Sequence, residues 1–127
     1  MKSKITAEMA PKAIGPYSHA IVANDLIFVS GQLPINPDEG KITDFTIEGQ
    51  TIQALKNLKA ILNEAKVDFE NVIKTEIFVK DLNDFGKINE IYAAHFLGNM
   101  QPARQLIQAA RLPMDSLIEI SCIATIN

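Results

Sequence analysis

Pro102-Ala103-Arg104-Gln105-Leu106-Ile107-Gln108-Ala109-Ala110 and Leu117-Ile118-Glu119-Ile120-Ser121-Cys122-Ile123-Ala124-Thr125-Ile126 flank the segment Pro113-Met114-Asp115-Ser116. The fixed φ of Pro102 favours an extended entry, and Gln105 to Ala110 reads as a strand. Pro113 to Ser116 is turn chemistry, and Leu117 to Ile126 reads as a second strand. In that second strand Ile118, Ile120, Cys122, Ala124 and Ile126 share one face. Glu119 shares the other with Leu117, Ser121 and Ile123. Strands joined this tightly are expected to pair as neighbours, bringing Arg104 and Glu119 onto one surface. A guanidinium grips carboxylates and a carboxylate moves protons, so the pair points to an enzyme for small carboxylate-bearing molecules.

Upstream, Ile21-Val22-Ala23, Asn24-Asp25 and Leu26-Ile27-Phe28-Val29-Ser30 form a hairpin signal, two apolar runs around a two-residue polar turn. Pro34 to Gly40 reads as a loop. A helix is expected to begin near Asp44 or Thr46, with Leu55, Leu58, Ile61, Leu62 and Ala65 as its apolar stripe. Asp68-Phe69-Glu70 breaks it. Val72 to Lys80 alternates as a strand, with Ile73, Thr75, Ile77 and Val79 on one face. Asp81 or Asn83 can cap a second helix that buries Phe85, Ile88, Tyr92 and Phe96 and stops near Gly98. The order is β-β-α-β-α-β-β, with a short strand possible at Ile5. One sheet carrying two helices on a single face is the economical α+β arrangement. Its other face is left bare and partly apolar, which points to a subunit interface and an oligomer.

At 127 residues the chain is expected to form a single domain, residues 1–127, burying roughly two thirds of its unfolded surface. With 47% apolar residues it reads as globular rather than disordered. No apolar run reaches the ~20 residues a membrane helix needs, and the N-terminus lacks a signal peptide's apolar core. Cys122 is the only cysteine, so no intrachain disulfide forms, and a cytoplasmic location is expected. The net charge of −3 and scattered basic residues argue against nucleic acid as a partner.

Several residues carry alternative readings. Arg104 is either a carboxylate clamp or a paired surface charge, and Glu119 either a general acid/base or a simple ion-pair partner. Gly15-Pro16-Tyr17-Ser18 is a turn into a strand in which Tyr17 packs or caps a pocket. Ser30-Gly31-Gln32 ends the most apolar strand, with Gly31 at a bulge or at a close ligand approach. His19 and His95 lack Cys or acidic companions at metal-ligand spacing, and Cys122 reads as an inert core thiol. No phosphate-binding glycine loop, serine nucleophile elbow or zinc motif is present.

Taken together, these fragments resemble the RidA/YjgF family of enamine/imine deaminases nearly end to end. The resemblance rests on Ala13-Ile14-Gly15-Pro16-Tyr17-Ser18, Phe28-Val29-Ser30-Gly31-Gln32-Leu33-Pro34, Val79-Lys80-Asp81-Leu82 and Asn89-Glu90-Ile91-Tyr92. Pro102-Ala103-Arg104, Leu112-Pro113-Met114-Asp115 and Ile118-Glu119-Ile120 complete it. It implies a chorismate-mutase-like fold, one mixed sheet with two helices on one face, in homotrimers with a central β-barrel and clefts between subunits. It also implies hydrolysis of 2-imino acids, formed from 2-aminoacrylate and 2-aminocrotonate, to 2-keto acids and ammonia, with no cofactor or metal. The functional partners would be pyridoxal-phosphate-dependent dehydratases. By the resemblance Arg104 binds the substrate carboxylate and Glu119 activates water, while Tyr17, Ser30, Gly31 and the backbone of Leu106 line the cleft. Three departures bear on substrate preference and rate. Gln105-Leu106 replace a common Ser-Cys, His19 stands where Gln is usual, and Ser121 where an acid is common.

Overall fold

The computed structural model describes all of residues 1–127. Its elements are β1 (Ser3–Ile5), β2 (Ala20–Ala23), β3 (Leu26–Gln32), β4 (Ile35–Asn36), β5 (Lys41–Ile42), α1 (Ile47–Glu64), β6 (Val72–Val79), α2 (Phe85–His95), β7 (Ala103–Gln108) and β8 (Ile118–Thr125). Six strands form one mixed sheet in the order β1-β2-β3-β8-β6-β7. Only β6 and β7 run parallel. The small β4–β5 ribbon occupies the stretch read from sequence as a loop.

The hairpin at Asn24-Asp25 forms as expected. Both residues adopt positive φ, at 51° and 64°, giving the twist a two-residue hairpin needs. Thr46 caps α1, its side chain accepting the Gly49 N–H. Leu55, Leu58, Ile61 and Leu62 are fully buried against the sheet. Asp68 and Asn71 close a reciprocal capping box at the turn before β6. In α2, Ile88, Tyr92 and Phe96 are buried as expected. Phe85 is not: it is 46% exposed and lies under the Arg104 guanidinium.

Two further expectations are corrected. β7 and β8 do not pair, because β6 lies between them. The run β6–α2–β7 is a crossover that lays β7 parallel on one side of β6, leaving β8 to enter antiparallel between β3 and β6. This suits the side chains. The buried apolar row of β8 fills a central slot, whereas Arg104, Gln105 and Gln108 tolerate an edge. The second correction is Ile73. A register shift between Val72 and Lys74 turns it outward and puts Val72 into the core instead.

Both helices cover one face of the sheet, and the core of 22 buried residues sits between them. The opposite face is uncovered. It carries Phe28, Phe78, Ile107 and Ile123 beside Lys74, Glu76, Ser121 and Glu119, all exposed or half-buried.

Candidate functional site

Arg104 lies on β7 opposite Thr75 of β6, and Thr75 is wholly buried beneath α2. Its guanidinium therefore emerges on the helix-covered face, at the free edge of the sheet. There Nη1 donates to Asn89 Oδ1 at 2.6 Å. The guanidinium carbon lies 5.0 Å from the Tyr92 ring centroid and 5.7 Å from that of Phe85. Tyr92 is itself tied to Thr75 by a hydroxyl–hydroxyl bond of 2.8 Å. Burial raises the Tyr92 phenol above its ordinary range, although Thr75 and the Arg104 charge both oppose this. Arg104 takes part in none of the four ion pairs of the chain. A planar guanidinium held in this way has the fork geometry that can receive a carboxylate.

Backbone donors stand beside the guanidinium. The Ala109 N–H donates to the Val79 carbonyl, so alternation along β7 turns the amides of Arg104, Leu106 and Gln108 toward the open edge. The Leu106 side chain packs against the core, while its amide lies one residue pair beyond the arginine.

Glu119 belongs to a different surface. In β8, Ile118, Ile120, Cys122 and Ala124 are buried on the helix side, and Glu119 points to the uncovered face. It pairs in register with Phe78, three residues along β6 from the partner of Arg104. The two α-carbons are thus about 10 Å apart along the strands and about 10 Å across them. Their side chains stand on opposite sides of the sheet, which corrects the expectation of one shared surface. Strand alternation fixes this once β6 separates β7 from β8.

Gly31 lies against Glu119, with Ser30 next to it in the chain and Tyr17 across a small hollow from it. The register of β3 against β8 shifts between Val29 and Gln32, so Ser30 and Gly31 both oppose Ser121 in a bulge. A Cβ on Gly31 would overlap the Glu119 carboxylate, so the glycine is what lets the acid lie over the strand. Burial raises the Glu119 carboxyl above the ordinary glutamate range, and no cation offsets it. Ser30 donates its hydroxyl to the Ser18 carbonyl at 2.6 Å, anchoring the loop that carries Tyr17. Gly15, at φ 124°, turns that loop so that Tyr17 stands half-exposed. Tyr17 and Gly31 line one small hollow of about 30 Å³, and Tyr17 also borders an outer cleft of about 570 Å³ with Lys4, Lys12 and Ser18.

Asn89, which orients Arg104, was given no role by sequence reasoning. Its signal was an amide on the same helix face as Phe85 and Tyr92, one turn from each. The remaining candidates behave structurally. Burial pushes the Cys122 thiol up to about 12, far from a reactive thiolate. His95 bonds the Ile91 carbonyl and packs edge-on against Phe69. No three His, Cys, Asp or Glu side chains converge as a metal-ligand group.

Comparison with known proteins follows this geometry. The sequence model of the family described as endoribonuclease L-PSP matches residues 7–126. A RutC family protein of Pyrococcus horikoshii is 50% identical, over 98% of this chain and 98% of its own. The 2-iminobutanoate/2-iminopropanoate deaminase of Rattus norvegicus is 45% identical, over 98% of this chain and 90% of its own. The crystal structure of the YjgF gene product from E. coli superposes with a TM-score of 0.90 at 41% identity, covering 97% of this chain and 98% of that one. Matches across almost the whole chain, in sequence and in fold, agree: the protein belongs to the endoribonuclease L-PSP family, the family of RidA and YjgF.

Proposed function

We propose that this protein hydrolyses reactive 2-imino acids, 2-iminopropanoate and 2-iminobutanoate, to 2-keto acids and ammonia. The observation that carries the reading is Glu119, a shielded carboxylate with raised basicity laid over Gly31 and left without a cation. Relatives at about this level of identity bear the deaminase name, which supports it.

Because Arg104 and Glu119 stand on opposite faces of one chain, the complete site is assembled between copies. In this reading the chains form a homotrimer whose uncovered sheet faces close into a central barrel. The β7 edge of one copy then meets the Tyr17, Ser30, Gly31 and Glu119 surface of the next. Arg104 and the Leu106 amide hold the substrate carboxylate. Glu119 removes a proton from a water as its oxygen bonds to the imine carbon, giving a carbinolamine. From a protonated imine this carbinolamine is neutral: the same carboxyl passes its proton to nitrogen, the C–N bond breaks with its electron pair on the departing ammonia, and Glu119 takes the hydroxyl proton as the carbonyl forms. The imine is already electrophilic, so neither metal nor cofactor enters the scheme. Such imines arise from pyridoxal-phosphate-dependent serine and threonine dehydratases, which places the protein beside them in the cytoplasm, in metabolite damage control.

The test couples a serine or threonine dehydratase to the protein and follows keto-acid appearance. Acceleration by the wild type and its loss, by roughly 10- to 100-fold in kcat/KM, in Arg104→Ala is expected. No acceleration by wild type, or equal acceleration by the variant, rejects the reading. A second reading is a non-catalytic carboxylate-binding regulator, favoured by an arginine receptor that is complete without Glu119. Saturable binding of 2-ketobutyrate without turnover of any imine would select it. Action on RNA is the weakest reading, given the acidic balance of the chain.

A further inference from the structure

We propose that His19 is a positioning residue: its ring clamps the segment Ala7 to Pro11 against the hollow of Tyr17 and Gly31. His19 is 5% exposed. The Ala7 N–H donates to Nδ1 at 3.0 Å, so Nδ1 carries a lone pair. Nε2 must then hold the hydrogen, and it donates to the Pro11 carbonyl at 2.7 Å. One ring thus fixes two points of an irregular segment to the start of β2.

The same residue reaches the bulge beside Glu119. The His19 carbonyl accepts the Ser30 N–H at 3.0 Å, and the adjoining Ser18 carbonyl accepts the Ser30 hydroxyl. Pro11, Tyr17, His19 and Gly31 share the small hollow. The clamp therefore sets the wall facing Gly31, against which the Glu119 carboxylate lies.

Both ring nitrogens are engaged by backbone, and no side chain bonds to them. Losing the ring therefore frees the Ala7 N–H and the Pro11 carbonyl together.

His19→Gln tests this, because an amide offers one acceptor and one donor for the same two bonds. Amide hydrogen exchange of residues 7–12 is measured on wild type, His19→Gln and His19→Ala. Wild type and His19→Gln should be equally protected, and His19→Ala should exchange roughly tenfold faster. Imine turnover, whose link to the clamp rests on the deaminase reading, should fall further in His19→Ala than in His19→Gln. Full protection in His19→Ala, or loss of protection in His19→Gln, overturns the clamp. Should His19→Ala not fold, the comparison of wild type with His19→Gln decides alone. If exchange follows the expected course while no imine is hydrolysed, the clamp stands and its link to that chemistry is overturned.

Discussion

Glu119 illustrates how one residue's setting determines both chemistry and stability. Its folded carboxyl keeps a proton to higher pH than the unfolded chain does, so its stabilising contribution is full at low pH and is lost as pH rises. Glu119→Gln should therefore be more stable than wild type at pH 7, and the gain should vanish below about pH 4, as thermal unfolding at several pH values will show. The same substitution should lower kcat by about 10²–10⁴, with wild-type activity declining on acidification at a pH above the ordinary glutamate range. Gly31 is the complementary case. An added methyl overlaps the carboxylate, so Gly31→Ala should lower kcat while leaving circular dichroism unchanged. Unaltered kinetics in that variant would mean the acid acts elsewhere.

At the scale of elements, α1 does more than bury an apolar stripe. Asn57, fully buried within it, donates to the Leu33 and Ile35 carbonyls and accepts from Gln53. Gln50 accepts the Leu117 N–H and donates to the Asp44 carbonyl. These amides satisfy backbone that irregular connections leave unpaired, and they pin the segment that leaves the Gly31 bulge. Asn57→Ala strands two buried carbonyls and should cost about 1–3 kcal/mol in urea unfolding. A smaller loss would mean that water replaces the amide. The turn before β8 is held differently. Met114 and Asp115 take positive φ, at 59° and 53°, and Arg111 braces the turn with a 2.7 Å bond to Asp115.

For the whole molecule, the two halves of the proposed site lie on opposite faces of one sheet. Arg104→Ala and Glu119→Gln should each lose most of the activity on their own. If each site draws its arginine from one copy and its acid from another, subunits unfolded and refolded as a mixture should regain part of the lost turnover. Mixed trimers then contain some clefts with both groups intact. No recovery, with native mass spectrometry showing that subunits of the two variants have mixed, would place both groups in one copy's site. Introducing a charge on the uncovered face, as in Ile123→Asp, should shift the measured mass from a multiple of 14.0 kDa toward the single chain.

Much was legible in the chain itself, because local rules act over a few residues. The Asn24-Asp25 hairpin, the α1 stripe, the Thr46 start and the inward row of β8 all follow from periods of 2.0 and 3.6 and from turn chemistry. The bare apolar sheet face was legible for the same reason. Alternation along one strand says which residues share a face, but not which neighbour that strand takes. The α2 crossover placed β6 between β7 and β8, and so sent Arg104 and Glu119 to opposite sides. Asn89 beside the guanidinium, the Gly31 bulge under the acid and both bonds of His19 join residues 8 to 88 positions apart, or depend on strands brought together by folding. Such contacts are fixed by packing and topology, which no local pattern encodes.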